Sequence, residues 1–143
     1  MFLADTNIFS EMTKPRPDAR VVDWLHAWQS ELLISAVTIA ELQSGISQLA
    51  EGRKKRRLQE WLDDLRRNYR DVILSFDEAV AVEWGRLDAD LRSKGRKMPA
   101  RDSFLAATAR HHDLTIATRN EKDFVAAGVK TLNPWQSSTA EIS

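Results

Sequence analysis

Apolar positions recur along this chain with two alternating periods. Phe2-Leu3-Ala4 is a short continuous apolar run that stops abruptly at Asp5-Thr6-Asn7, the pattern of a buried strand meeting a loop or helix cap. Residues 7–13 read as a short helix, ended by Lys14-Pro15-Arg16-Pro17, because proline lacks the amide and clashes with the preceding turn. Asp18 then suits the cap of a helix that buries Val21, Leu25 and Trp28, with Trp24 ambiguous. Residues 32–37 form a second buried strand, running directly into a helix with Ile39, Leu42, Ile46 and Leu49 on one side. A long amphipathic helix over 53–69 carries Leu58, Trp61, Leu62, Leu65 and Tyr69. Val72-Ile73-Leu74 is a third strand, and Asp77 caps a helix repeating Val80, Trp84, Leu87 and Leu91 until Gly95. A helix at 101–112, a strand at 114–117, a short helix near 120–127 and a last extended stretch at 129–132 lead to Asn133-Pro134-Trp135. Residues 136–143 are polar and are expected to form a tail beyond one domain at 1–135.

Short apolar strands alternating with helices imply a parallel sheet of the α/β class, covered on both faces. Length, at 143 residues, suits one domain. The 21 basic and 21 acidic side chains cancel, which excludes a whole-surface basic footprint, so any nucleic-acid contact must come from local patches, a metal ion or a partner. With no cysteine, disulfides, thiolate metal sites and a thiol nucleophile are excluded, as fits a reducing cytoplasm. The N-terminus lacks the basic and apolar regions of a signal peptide, and no stretch is apolar enough to span a membrane; a cytoplasmic, membrane-free protein is expected.

The acids carry the candidate chemistry. In open parallel sheets ligands bind beyond the carboxyl ends of the strands, where strand order reverses. Asp5 directly follows the first strand. Glu41 lies in the first turn of the helix after the second, with Thr38 and Gly45 as small or polar neighbours that leave its face open. Asp102 lies in the first turn of its helix, and Asn120 and Asp123 follow the strand at 114–117. Taken singly, Asp5 is equally a cap, Glu41 a helix-surface residue and Asp102 an acid complementing a helix dipole. Their common position at the start of post-strand elements favours convergence at one sheet edge. Packed carboxylates repel, and a hard divalent cation relieves this: Mg²⁺ or Mn²⁺ takes oxygen ligands and tolerates one or two carboxylates. Such an ion activates water and neutralises charge on a phosphodiester, pointing to phosphate-ester hydrolysis without Ser, His or Cys.

At these residues the sequence resembles the PIN domain, in its VapC/FitB branch. The match runs through Leu3-Ala4-Asp5-Thr6-Asn7-Ile8-Phe9-Ser10-Glu11, Thr38-Ile39-Ala40-Glu41-Leu42-Gln43-Ser44-Gly45-Ile46 and Asp102-Ser103-Phe104-Leu105-Ala106-Ala107-Thr108-Ala109. It continues through Ala117-Thr118-Arg119-Asn120 with Asp123-Phe124, and closes at Asn133-Pro134-Trp135. The resemblance implies a three-layer α/β/α sandwich around a central, mostly parallel five-stranded sheet. It implies a metal-dependent endoribonuclease acting as the toxin of a toxin–antitoxin pair, a homodimer regulated by a VapB/FitA-like antitoxin that alone contacts operator DNA. Carried over residue by residue, Asp5, Glu41 and Asp102 are the metal ligands, with Mg²⁺ or Mn²⁺ as cofactor. Thr6 and Asn7 shape the turn at Asp5, and Thr118 hydrogen-bonds near the cluster. The family's fourth polar position is often Asp; here it is Asn120, so Asn120 or Asp123 is expected as an outer or water-mediated catalytic ligand.

Two basic segments remain. Arg53-Lys54-Lys55-Arg56-Arg57 opens a helix, where the dipole disfavours cations; it is either a solvated helix start or a contact for RNA phosphate or an acidic partner. Arg92, Lys94, Arg96, Lys97 and Arg101 precede Asp102 and are placed to steer RNA toward it. The tryptophans are assigned to packing. The apolar helix pair over 38–69 is expected to join in dimerisation and antitoxin docking, and His111 and His112 receive no chemistry. Two other functions compete: a phosphatase using Asp5 as covalent nucleophile, disfavoured because Asn7 stands where such enzymes carry a second Asp, and a non-catalytic PIN-like subunit of a repressor complex.

Overall fold

The computed structural model describes residues 1–136, so most of the expected polar tail lies outside the described residues. Five parallel strands form one sheet: β1 (Phe2–Ala4), β2 (Leu32–Ser35), β3 (Ile73–Leu74), β4 (Thr115–Ala117) and β5 (Thr131–Leu132), in the order β3-β2-β1-β4-β5. Helices α1 (Thr6–Met12), α2 (Ala19–Trp28), α3 (Ala36–Ser47), α4 (Arg53–Asn68), α5 (Glu78–Ser93) and α6 (Ala100–His112) connect them. The sheet is parallel at every described pairing. Strand alternation divides the core into two. Phe2 and Ala4, with Leu32, Ile34 and Ala117, pack against Ile8, Trp24, Leu42 and Leu62 from α1–α4. Leu3 and Ile116 point the other way, onto Leu87, Leu91, Leu105 and Ala106 of α5 and α6. A side-chain period of two thus turns each strand into a double-faced wall, and the result is a three-layer α/β/α sandwich.

Local signals place most boundaries. Asp18 accepts from the Arg20 amide at 2.9 Å and Asp77 from the Val80 amide at 3.0 Å, as N-caps of α2 and α5. Gly95, at φ +65°, lies just beyond α5, in the left-handed conformation that costs glycine little. Two expectations shift. Strand β2 ends at Ser35, whose hydroxyl caps α3 by accepting from Val37, so Ala36 and Val37 are helical. Helix α2 buries Val21 and Trp24 fully while Leu25 and Trp28 stay half-buried, because the sheet lies on its Trp24 side, where Phe2 meets the Trp24 ring edge-on at 5.1 Å. The short helix expected near 120–127 is present at Glu121–Ala127 in the tighter 3₁₀ form, ended by Gly128 at φ +66°.

Topology sets the functional edge. The chain runs outward from β1 to β2 and β3, then returns across the sheet to place β4 on the other side of β1. The reversal lies between β1 and β4, so the crevice at their carboxyl ends is the place for a ligand.

Leu87 is fully buried between α5 and the sheet. Leu87→Ala is expected to destabilise the fold by about 2–5 kcal/mol, read as a lower urea midpoint at unchanged m-value.

Candidate metal centre at the β1–β4 switch point

Register brings the first two groups together. Leu3 pairs with Ile116 and Ala4 with Ala117, and the Asp5 amide donates to the Ala117 carbonyl at 2.9 Å. The next residues, Asp5 and Thr118, therefore leave the sheet side by side. The Thr118 hydroxyl, fully buried, donates to Asp5 Oδ2 at 2.8 Å. Asp5 Oδ1 accepts from the Thr6 amide at 2.7 Å, so Asp5 also caps α1. Asn7 Nδ2 lies 3.4 Å from both Asp5 Oδ2 and Thr118 Oγ1, and its Oδ1 accepts from the Arg119 amide at 3.4 Å. Asn7 thereby links the two strand ends, and the Asn120 amide adds a bond to Thr118 Oγ1 at 3.0 Å. Burial pushes the Asp5 carboxyl up; the Thr118 and Thr6 hydrogen bonds oppose this, and Asp123 adds repulsion.

Glu41 and Asp102 approach from opposite layers of the sandwich. Burial raises Glu41, Thr6 and Arg101 pull it back, and Asp5 raises it again. Asp102 is pushed from 3.8 up to about 6, by burial first and then by repulsion from Asp5, Asp123 and Glu41, against Arg101. Four carboxylates thus share one field. Asp123 is exposed on the 3₁₀ segment yet acts on both Asp5 and Asp102, whereas the exposed Asn120 contributes its backbone amide. The face around Glu41 is open at the exposed Gly45, as expected, and closed on its other side, where Thr38 is only 1% exposed.

The donor set suits a hard cation: carboxylate oxygens, plus the Thr6 hydroxyl, which is buried without a well-directed hydrogen bond although Glu41 lies near it. Among the described residues no three acids or histidines stand as one finished ligand group.

Sequence reasoning missed two contacts at this edge. Glu11 is buried at the end of α1, where Lys14 Nζ at 2.9 Å and the Asp18 amide at 2.9 Å hold its carboxyl below the usual range. It ties α1 to the start of α2, and its sequence signals are its place at the end of the first family motif and an acid set beside Ile8 and Phe9 in the same helix. Arg101, expected from sequence as an RNA-steering cation, also meets Glu41, with Nη1 3.4 Å from Oε2. Of its basic neighbours, Arg92 and Lys94 are paired along α5 with Asp88 and Asp90. Arg96 and Lys97 line a cleft of 450 Å³ with Lys122 and Asp123. A second cleft, of 600 Å³, holds Arg20, Arg119, Asn120 and Lys122.

A parallel α/β/α sandwich with acids at its switch point is a doubly wound fold with a candidate cation site, and the chain belongs to the PIN family: the PIN domain model matches residues 2–130. Toxin FitB of Neisseria gonorrhoeae is 41% identical over 137 residues, covering 94% of this chain and 99% of that protein. VapC ribonuclease Y4jK of Sinorhizobium fredii is 33% identical, covering 95% and 99%. The crystal structure of FitAcB from Neisseria gonorrhoeae superposes with a TM-score of 0.89 at 40% identity, covering 96% of this chain and 100% of the other. The structure of FitAB bound to an IR36 DNA fragment gives 0.89 at 37% identity, with 96% and 98% covered.

The raised Asp102 carboxyl has a consequence for stability. A carboxyl whose pKa rises on folding, here from 3.8 to about 6, destabilises the native state once ionised; the penalty is absent below the lower value and complete above the upper. In EDTA, Asp102→Asn is expected to raise the melting temperature at about pH 7.5, with the gain shrinking toward about pH 4. Saturating Mn²⁺ should reverse the order if Asp102 is a ligand of the ion. Calorimetric scans at both pH values check this; a variant less stable in EDTA at neutral pH would count against the repulsion.

Proposed function

We propose that this chain is a metal-dependent endoribonuclease, the toxin of a toxin–antitoxin pair. The observation that carries the reading is the pairing of Asp5 with Thr118 at the switch point, together with the charge field that joins Asp5, Glu41, Asp102 and Asp123. The ribonuclease name of the VapC relative and the toxin name of the FitB relative support it.

Asp5, Glu41 and Asp102 are the residues that would hold Mg²⁺ or Mn²⁺, with Asp123 as an outer, water-mediated partner and Asn120 acting through its amide. When bound, such an ion supplies an activated water and charge neutralisation at the phosphodiester. The protein's own groups do the rest. Both Asp5 oxygens accept a hydrogen bond, from the Thr6 amide and the Thr118 hydroxyl, which orients the carboxylate and leaves each oxygen a lone pair for the ion. Asp102, pushed up to about 6 by burial and its acidic neighbours, would give up its proton on taking up the ion. Arg96, Lys97 and Lys122 on one side and Arg119 on the other flank the acids with cations that would hold RNA phosphates.

An apolar groove lined by Leu42, Ile46, Leu49, Leu58 and Trp61 runs from Glu41 between α3 and α4, and a second continues past Trp61 to Leu25 and Tyr69. We assign this face to docking of a VapB/FitA-like antitoxin and to the homodimer. Contact with operator DNA would come only through the antitoxin.

Purified protein freed of any partner is expected to cut total cellular RNA at discrete positions in Mg²⁺ or Mn²⁺ and not in EDTA. Asp5→Asn should lower the rate by about a hundredfold or more; no cleavage in any metal would move the reading to a non-catalytic subunit. The Arg96→Glu, Lys97→Glu double variant should weaken cleavage while Mn²⁺ binding persists, and unchanged cleavage would refute the steering role. A stable monomer by light scattering at micromolar concentration would refute the homodimer.

A further inference from the structure

We propose that Arg101 is a built-in counter-ion of the metal centre: its guanidinium rests on the Glu41 carboxylate in the metal-free protein and turns to the RNA phosphate when Glu41 is engaged as a ligand. This inference rests on the ribonuclease reading above and adds a positioning residue to it.

Arg101 immediately precedes Asp102 in the first turn of α6, so it shares the backbone that presents a candidate ligand. Its Nη1 lies 3.4 Å from Glu41 Oε2, bridging α6 to α3 across sixty positions of sequence. Arg92 and Lys94, by contrast, are paired one turn along their own helix. The two ends of the Arg101 pair differ in exposure: the Glu41 side chain is 20% exposed and the Arg101 side chain 68%. A pair with one end in water is weakly held and readily exchanged. The half-buried carboxylate stays in place while the long, solvated side chain is free to swing.

Arg101 lies in the field of Asp102 as well as Glu41, and it opposes the repulsion that raises both carboxyls. Freed from Glu41, the guanidinium remains beside the acids and presents a planar donor fork, the geometry that matches two phosphate oxygens. A single side chain would then neutralise the acids before metal loading and the substrate afterwards. The cost is competition: while Arg101 occupies Glu41, that carboxylate is partly withheld from a cation.

The two halves of the proposal predict changes of opposite sign. Mn²⁺ titration by calorimetry and single-turnover cleavage of total cellular RNA at saturating Mn²⁺ would be run on the wild type, Arg101→Gln and Arg101→Lys. Removing the competitor should tighten Mn²⁺ binding by about two- to fivefold in Arg101→Gln. Cleavage by the same variant should fall by about tenfold or more, because the phosphate loses its partner. Arg101→Lys should restore the weaker wild-type metal affinity but only part of the cleavage. Wild-type Mn²⁺ affinity in Arg101→Gln, a joint loss of affinity and cleavage, tighter binding with undiminished cleavage, or a lysine variant as tight as the glutamine one would each overturn the proposal alone. Failure of the wild type itself to bind Mn²⁺ would overturn the metal-centre reading with it.

Discussion

Placing a carboxylate at the mouth of a parallel sheet withdraws it from water, and the β1–β4 seam is arranged around that cost. Asp5 leaves β1 with one oxygen on the Thr6 amide and the other on the Thr118 hydroxyl. Thr118 in turn is held by the register of β4 against β1 and receives the Asn120 amide. The Thr118 bond crosses from one strand end to the other, the Thr6 bond returns to the first turn of α1, and the Asn120 bond closes the turn after β4. Moving β4 by one residue would point Thr118 to the opposite face and leave Asp5 without its principal donor. The pairing of the two central strands therefore sets the geometry of the candidate centre.

The remaining acids add repulsion that the fold tolerates only because α3 and α6 are anchored elsewhere. Helix α3 is capped by Ser35 and buried through Leu42 and Ile46. The first turn of α6 is pinned by Ser103, which donates to the Ala100 carbonyl at 2.6 Å and accepts from Trp84 Nε1 at 2.9 Å. Packing thus holds Glu41 and Asp102 toward a site where electrostatics alone would drive them apart. Stability given up in this way is the usual companion of a functional site.

Charge is arranged to match. The chain is neutral as a whole, yet Arg96, Lys97, Lys122 and Arg119 line two clefts beside the acids, while Arg92 and Lys94 are spent in short pairs with Asp88 and Asp90. Local concentration of this sort steers a polyanion without a basic surface overall. The apolar grooves around Trp61 lie on the α1–α4 side, so a partner seated there would approach the acids at Glu41 rather than through the cationic clefts.

Periodicity and punctuation alone determined the α/β class, the strands at their approximate places and the caps at Asp18 and Asp77, because these depend on neighbours within a turn or two. The short apolar runs that flank Asp5, Glu41 and Thr118 made those residues legible, as did the family motifs in which they stand. The 3₁₀ form of Glu121–Ala127, the full burial of Trp24 and Thr38, and the roles of Glu11 and Arg101 were decided only by tertiary structure. Each depends on what a distant segment brings alongside. Glu11 reads as an ordinary helical acid until Lys14 and the Asp18 amide close over it. Arg101 reads as one more surface cation until α3 sets Glu41 within reach, since a charge is defined by its partner in space, and sequence separation does not report that distance.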